Sequence, residues 1–379
     1  MSLSRRNTLM LSAGMVLAGT LDARAQSSTI KIGATAPLTG AGAEIGKLQT
    51  EGSRLAVQQI NDAGGINGRK LELIIEDDQT SNPGIILAFS RLISRGDITA
   101  VIGSLRSTQV NAMSPDAKKA GIPVLFGGTD PSLTHTGNPW YFRCRPSDAY
   151  SAKVIAKYGT ETLGKKKWAV IHSADAFGLG GSNALVSSLK DAGIEPVTVQ
   201  SFTDSQADLT PVVLAVRQSG ADIIATYIAY ESDVAVFARQ LQQFGMNLPW
   251  IGSASVASTT AIKLAGPALN NTYAVADFNA DANAQAKAFS ATFQKAYGRV
   301  PDYTSAWPYD AANLIANAIK TSGSTDPQKL RAALLATKGY NGVEGTYNFD
   351  ANGDGLHGYD IVQNQGGKIN FIQRISFDS

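Results

Sequence analysis

The sequence contains few of the residues that build covalent crosslinks or metal sites. Cys144 is the only cysteine among the 379 residues, so a disulfide within the chain and a metal site built on several thiolates are both excluded. The three histidines, His135, His172 and His357, are scattered and share no metal-ligand spacing. We therefore expect no metal and no cofactor.

The apolar segment near the start of the chain is too short to cross a membrane. Thr8–Gly19 falls below the about 20 residues that a bilayer span requires. It follows Arg5-Arg6 and precedes Ala23-Arg24-Ala25, which has small residues at the two positions that a signal peptidase reads. We predict a periplasmic protein whose signal peptide, residues 1–25, is cleaved after Ala25. Ser4-Arg5-Arg6 also resembles a twin-arginine signal, so the export route stays open.

The sequence also has no large excess of basic over acidic residues, or of acidic over basic ones. Cleavage after Ala25 removes three of the 33 basic residues and one of the 31 acidic residues, which leaves 30 of each. A protein that binds the phosphate backbone of nucleic acids would carry a basic excess on one face. The balanced charge therefore argues against a nucleic-acid partner.

The mature chain alternates short β-rich runs with helical stretches, which predicts an α/β fold with parallel sheets. Its length of about 350 residues exceeds what one hydrophobic core usually serves, so two domains are expected. The segment after Thr346 is instead typical of antiparallel hairpins, with turns at residues 352–355 and 365–367. The predicted strands are Thr29–Ala34, Leu71–Glu76, Ala100–Gly103, Pro123–Phe126, Lys167–His172, Glu195–Phe202, Ile223–Tyr227 and Trp250–Gly252.

Motifs of catalysis and nucleotide binding are weak or missing, which predicts that the protein is not an enzyme. Residues 178–181, Gly-Leu-Gly-Gly, lack the third glycine of a dinucleotide loop, so we interpret them as a tight strand-to-helix turn. Residues 350–355 imitate half of a calcium loop, but Ile361 stands where a bidentate Glu is needed, which favours a hairpin turn. The sequence contains neither a phosphate-binding P-loop nor a Gly-x-Ser-x-Gly elbow.

Small polar residues follow two neighbouring predicted strands. Ser107 comes shortly after the strand that ends at Gly103, and Thr129 follows the strand that ends at Phe126. Ligands of open parallel sheets bind outside the carboxyl ends of the strands. Hydroxyls and free N–H groups at a helix start suit a carboxylate, because the helix dipole favours an anion there. Ser107 and Thr129 therefore form a candidate carboxylate site; the alternative is that both are ordinary helix caps.

The order of these pieces resembles type I periplasmic binding proteins, and within them the leucine/isoleucine/valine-binding branch of ABC-transporter receptors. The resemblance covers essentially the whole mature chain, and the ordered set of motifs makes it specific. The residues that carry it are Ile32-Gly33-Ala34, Pro37–Gly40, Gly52, Ile60–Gly68, Asp77-Asp78, Val101–Gly103, Gly121–Val124, Tyr309–Ala312 and Phe349–Asp354.

The resemblance implies two Rossmann-like lobes joined by three crossovers that close on a ligand. The first lobe would comprise residues 27–145 and 275–352, and the second residues 146–274 and 353–379. The family match places Ser107 and Thr129 at the ligand carboxylate, beside the main chains of Leu105 and of Gly127 or Gly128. It also implies a pocket wall formed by Ile45, Phe177, Tyr227 or Tyr230, and Ala254.

The sequence departs from the family where the ligand ammonium is bound. Amino-acid binders carry an acidic residue after the strand that ends here at Gly252, whereas this chain has Ser253-Ala254-Ser255. A buried ammonium without a partner would be costly. Either Glu231, Asp233 or Asp310 replaces that residue, or the ligand has no α-amino group. Arg106 stands where a family cysteine would be and would pair with a second acidic group of the ligand; a solvated arginine is the alternative.

These features predict a monomeric, non-enzymatic receptor that delivers an amino acid or a related small carboxylate to a membrane permease. One alternative is a receptor for an aromatic or aliphatic acid without an α-amino group. A second is the ligand-sensing subunit of a signalling receptor, which a permease gene beside this one would contradict.

Overall fold

The computed structural model describes residues 29–377. The predicted signal peptide lies outside the described residues. None of the helices within 29–377 combines the length and the apolar character that a membrane span needs.

The first sheet is entirely parallel and has five strands in the order β2-β1-β3-β4-β5. Six of the seven residues of its first strand are buried, as expected for a parallel sheet that is covered on both faces. The strands are β1 (Ile30–Ala36), β2 (Leu71–Asp77), β3 (Ile98–Ile102), β4 (Val124–Phe126) and β5 (Tyr141–Arg143).

The second sheet has seven strands. Five of them are parallel, and the other two form an antiparallel hairpin at one edge of the sheet. The parallel strands are β6 (Trp168–Ser173), β7 (Thr198–Phe202), β8 (Ile223–Tyr227), β9 (Trp250–Gly252) and β10 (Tyr273–Ala276). Two short strands, β11 (Tyr340–Asn341) and β12 (Thr346–Tyr347), pair only with each other. The hairpin consists of β13 (Gly358–Gln365) and β14 (Lys368–Ser376), and the sheet order is β14-β13-β10-β9-β8-β6-β7.

Helices cover both faces of each sheet, so each lobe has three layers. In the first lobe, α1 and α10 bury one face, and α2 and α3 bury the other. In the second lobe, α6 and α7 bury one face, and α4 and α5 bury the other. The helices are α1 (Ala43–Asp62), α2 (Asn82–Ser94), α3 (Ser107–Ala120), α4 (Asp148–Lys157), α5 (Ala176–Asp191), α6 (Thr210–Ser219), α7 (Glu231–Gln243), α8 (Thr259–Ala265), α9 (Ala284–Tyr297), α10 (Tyr303–Ser322) and α11 (Pro327–Leu335).

One glycine shows how closely the first lobe is packed. A Cβ atom on Gly52 of α1 would lie 2.0 Å from the carbonyl oxygen of Ser305 in α10. Only glycine lets these two helices approach at that point. This contact fixes the start of α10, which borders the cleft between the lobes.

Three crossovers join the lobes, as the sequence predicted. The chain passes from β5 to β6, from β10 towards α9, and from β12 to β13. The predicted boundary at residue 275 falls inside β10, which pairs with strands of the second sheet up to Ala276. Strands β5 and β10 are absent from the predicted set, because both are short and neither shows a clear alternation.

The predicted hairpin at 352–355 and the predicted strand-to-helix turn at 178–181 are wrong, whereas the hairpin turn at 365–367 is confirmed. The chain does turn at 350–353, where the Gly353 N–H donates to the Asp350 carbonyl, but the strands on either side, β12 and β13, do not pair with each other. Residues 352–355 lie in the third crossover, where buried Arg143 needs an acceptor and its Nε donates to Asp354 at 2.6 Å. Residues 178–181 lie inside α5, because the side chain of Asp175 accepts from the Gly178 N–H at 2.8 Å and starts the helix earlier. The turn at 365–367 joins β13 to β14, as predicted.

Candidate functional site

Ser107 occupies the edge of the first sheet, where β3 and β4 end side by side. It is the first residue of α3, and its Oγ accepts from the N–H groups of Thr129 and Asp130, each at 3.2 Å. Among residues 29–377, no acceptor receives the hydroxyl hydrogen of Ser107. Ser107 therefore does not cap its helix, and it retains a hydrogen to donate.

Thr129 already donates its hydrogen to a buried carboxylate. Its Oγ1 lies 2.6 Å from Asp148 Oδ2, and Ser151 Oγ donates to Asp148 Oδ1 at 2.8 Å. Burial raises the pKa of Asp148 to about 6, although these two hydrogen bonds oppose the rise. Thr129 can donate to a ligand only when Asp148 does not need its hydrogen, for example when Asp148 is protonated.

Ser107 and Thr129 line a small cavity between the two lobes. Its volume is about 30 Å³, and both lobes contribute to its wall. The first lobe and the first crossover contribute Leu105, Arg106, Ser107, Thr129, Arg145 and Tyr303. The second lobe contributes Asp148, Asp175, Phe177, Ala229, Ser253, Ala254, Ser255 and Tyr359. The predicted residues Leu105, Arg106, Ser107, Thr129, Phe177 and Ala254 thus lie around one space.

Arg106 extends from the first lobe across the cleft to the second. One of its nitrogens donates to the carbonyl of Ala229, and its guanidinium lies 3.9 Å from the centre of the Tyr230 ring. Nη2 is 3.8 Å from a carboxylate oxygen of Glu231. Nε and Nη2 are buried without a hydrogen-bond partner in the described part of the chain. Arg106 therefore offers two donors, Nε and Nη2, that form no hydrogen bond with any residue in 29–377.

Glu231 is the first of several groups that favour a charge on Arg106. Burial opposes that charge most strongly, but Glu231 together with Tyr230, Tyr303 and Asp175 outweighs burial and raises the pKa of Arg106. Burial also raises the pKa of Glu231, and Arg106 counteracts that rise. The Tyr303 hydroxyl donates to Glu231 at 3.2 Å. Glu231 is thus already occupied by two groups of the first lobe.

A second and larger cavity lies beside the first. Its volume is about 920 Å³, and α1, α8 and the second crossover contribute to its wall. The predicted residues Ile45, Tyr230, Glu231 and Ala254 line it. Ala254 and Tyr303 line both cavities, so the two spaces are neighbours.

Residues 29–368 match the family described as periplasmic binding protein. The chain belongs to this family. It is a type I member of the leucine/isoleucine/valine-binding branch, and a substrate-binding protein of ABC transporters. A binding protein for leucine, isoleucine, valine, threonine and alanine from Pseudomonas aeruginosa is 27% identical over 354 residues, which are 93% of this chain and 94% of that protein.

Solved structures of this family have the same two-lobed fold. A branched-chain amino acid transporter substrate-binding protein from Streptococcus pneumoniae, in complex with isoleucine, is 25% identical with a TM-score of 0.84, covering 92% of this chain and 99% of that chain. A solute-binding protein of R. palustris in complex with benzoate is 21% identical with a TM-score of 0.84, covering 92% and 96%. These relatives are binding proteins rather than enzymes, and the family is exported to the periplasm.

Three predicted residues lie away from both cavities of this periplasmic binding protein. The Tyr227 ring is fully buried in the second lobe, and its hydroxyl contacts Ser151 Oγ at 2.7 Å. Asp233 accepts from the Ser205 N–H at 2.8 Å. Asp310 accepts from two backbone N–H groups and from the Tyr347 hydroxyl inside the first lobe. Each is buried with partners of its own, and none of the three lines either cavity.

The two glycines predicted to hold the ligand support the cavity from behind. The carbonyl of Gly127 accepts from Arg145 at 3.2 Å, and that of Gly128 accepts from Arg143 at 3.2 Å. Neither glycine lines a cavity. Their carbonyls instead anchor the arginines of the first crossover.

The polar residues that line the small cavity but were not predicted include Arg145, Asp148, Asp175 and Tyr303. Arg145 pairs with Asp277 at 2.5 Å and lies 4.3 Å from the centre of the Tyr303 ring. The pattern Arg-Pro-Ser-Asp at 145–148 follows a strand, as the other site residues do, but β5 itself was not predicted. Within residues 29–377, no three His, Cys, Asp or Glu side chains are grouped so as to hold a metal ion.

Proposed function

We propose that this chain is the extracytoplasmic receptor of an ABC importer and captures an amino acid or a related small carboxylate between its lobes. The observation that carries the proposal is the set of unpaired donors around the small cavity. The hydroxyl hydrogen of Ser107 and two nitrogens of Arg106 have no acceptor among the described residues. Buried donors without partners are costly, and a carboxylate would satisfy them with charge-assisted hydrogen bonds.

Binding would begin on the first lobe and end with closure. The ligand carboxylate meets Ser107, Thr129 and the start of α3, where the first N–H groups have no partner within the helix. Closure then brings Phe177 and the Arg106–Glu231 pair against the ligand. Its affinity for the closed form must outweigh the cost of closing, because a ligand indifferent to closure shifts nothing. The closed form, acting as a monomer, would present both lobes to a permease.

A second candidate ligand is an acid without an α-amino group. The stretch Ser253-Ala254-Ser255 has no carboxylate, and Glu231 already pairs with Arg106. Asp175 lines the small cavity, but one of its oxygens accepts from Gly178 N and Ser173 Oγ. A ligand ammonium would therefore have few free acceptors. The benzoate complex supports this candidate only in that the same fold holds an acid without an amino group.

A binding screen of amino acids against their deaminated acids tests the proposal. Leucine is compared with isocaproate and phenylalanine with hydrocinnamate, by thermal shift and then by calorimetry on the purified mature protein. Tighter binding of the two deaminated acids would favour the second candidate, and tighter binding of the amino acids would favour the first. If none of the four compounds binds, the proposed carboxylate site is wrong.

A further inference from the structure

The large cavity holds most of the free space between the lobes. Its volume of about 920 Å³ compares with about 30 Å³ for the small cavity that carries the unpaired donors. A water molecule needs about 10 to 15 Å³ measured in this way. The small cavity therefore has room for a group of carboxylate size, and a complete branched-chain amino acid would have to extend beyond it.

The large cavity is not simply the gap of an open clamp. Thr259 of the second lobe donates through Oγ1 and N–H to Asp302 of the first lobe, at 2.7 and 2.8 Å. Tyr303 of the first lobe donates to Glu231 of the second at 3.2 Å. The residues of these hydrogen bonds line the large cavity, and Arg106 also joins the lobes through the carbonyl of Ala229. The large cavity is therefore present while the two lobes are in contact.

The wall of the large cavity is mostly apolar. Ile45 and Leu48 of α1 face Ile262 of α8 and Phe278 of the second crossover around it.

Half-buried Arg299 and buried Asp302, two charged residues of this wall, have partners of their own. Arg299 pairs with Glu44 at 2.9 Å and with Glu51 at 2.5 Å. Asp302 accepts from Thr259 and Thr304. Such charges do not require a charged ligand group, whereas the apolar wall favours burial of an apolar one.

The two cavities adjoin at Ala254 and Tyr303, which line both. Ala254 is also the position where an amino-acid binder would carry its acidic side chain. The methyl side chain of Ala254 takes up less space at this junction than an acidic side chain would, and it adds no charge. One molecule can therefore place a polar end in the small cavity and an apolar end in the large one.

We infer that, given the proposed carboxylate site, the large cavity binds an apolar tail longer than the side chain of a branched-chain amino acid. The ligand is then a carboxylic acid with an extended alkyl or arylalkyl chain. Its carboxylate lies between Ser107 and Arg106, and its chain passes Ala254 towards Ile45 and Phe278.

Calorimetry of the mature full-length protein with butyrate, hexanoate and octanoate tests this inference, and phenylbutyrate distinguishes an arylalkyl from an alkyl tail. Each buried methylene should raise affinity about fourfold, so octanoate should bind on the order of 100-fold more tightly than butyrate. Ile45→Trp fills the large cavity and should lower this octanoate-to-butyrate ratio at least about tenfold. Leu87→Trp, on the exposed face of α2, is the matched control and should leave the ratio unchanged.

Two results would overturn the inference. One is a ratio near unity in the unmodified protein, with butyrate bound; the carboxylate site would then stand without the tail cavity. The other is an unchanged ratio in both Ile45→Trp and Thr260→Trp, a second variant at a half-buried position of α8 that is used if the first fails to fold. If neither butyrate nor octanoate binds, the proposed carboxylate site itself fails.

Discussion

The first lobe brings hydrogen-bond donors to the cleft, whereas the second lobe brings carboxylates and aromatic rings. On the first lobe, Ser107 and Arg106 keep hydrogens that no described residue accepts. On the second lobe, Glu231 accepts from Tyr303 and pairs with Arg106, and Asp175 caps α5. The unsatisfied groups of the first lobe at the small cavity are therefore donors, which supports the proposal that the ligand presents an anion to this side.

Asp204, a half-buried carboxylate of the second lobe, departs from this contrast. Like Asp360 Oδ2 in the same lobe, Asp204 Oδ1 has no hydrogen-bond partner among residues 29–377, although neither residue lines a cavity described above. Burial, together with the nearby charges of Asp175 and Asp233, raises the pKa of Asp204 to about 7. A protonated Asp204 carries no charge, so it does not demand a cationic ligand. The difference between the lobes thus concerns which side recognises the ligand and which side closes over it.

Removal of the first-lobe hydroxyls should have the largest effect. Below about pH 6, where Asp148 is protonated and Thr129 is free to donate, the double substitution Ser107→Ala with Thr129→Ala deletes two donors to a charged group, each worth about 1.5 to 3 kcal/mol. Affinity for the best-binding acid should then fall at least about 100-fold. Calorimetry measures the loss. Ser94→Ala, on the exposed end of α2, is the matched control. Unchanged binding in the double variant would contradict the assignment of the carboxylate to the first lobe.

Loss of Arg106 should have a smaller effect, because it is one of several donors. Arg106→Gln removes the unpaired nitrogens and leaves Glu231 buried without its cation, so both affinity and stability should fall. We expect about a tenfold or greater loss of affinity, since one charge-assisted hydrogen bond is removed. Exposed Arg91→Gln on α2 is the control.

A second variant separates ligand binding from closure. Arg106→Gln combined with Glu231→Gln removes both charges, so the melting temperature should recover while affinity stays low. If affinity recovers together with stability, Arg106 acts only as a contact between the lobes.

The sequence predicted the elements of the fold well because they depend on local patterns. The buried apolar run of β1 and the alternation of strands with helices carry that information. The proximity of Ser107 and Thr129 could also be predicted, because residues that follow neighbouring parallel strands meet at one edge of the sheet. Arg106 was predicted to face the ligand, but its stacking on Tyr230 was not, since 124 positions separate the two residues.

Tyr227 was predicted to line the pocket, but distant side chains hold its ring in the core. It ends β8, as a site residue would, yet its ring packs into the core against Phe177 and its hydroxyl against Ser151. Tyr230, three positions later, lines the large cavity instead. A strand pattern fixes which residues stand at the edge, but the distant side chains that surround them decide which ones turn towards the ligand.

The smallest expected effect comes from Asp148, which competes with the ligand for the hydrogen of Thr129. Burial raises the pKa of Asp148 to about 6, and an anionic ligand nearby would raise it further, so binding takes up a proton. Affinity should be constant below about pH 6 and weaken a few-fold as the pH rises to about 8. Calorimetry at several pH values measures this slope, and Asp148→Asn should abolish it while exposed Asp191→Asn leaves it intact. A slope that persists in Asp148→Asn would show that another group titrates. If affinity instead rises with pH, the ligand places a positive group near Asp148. That result would reverse the contrast between the two lobes.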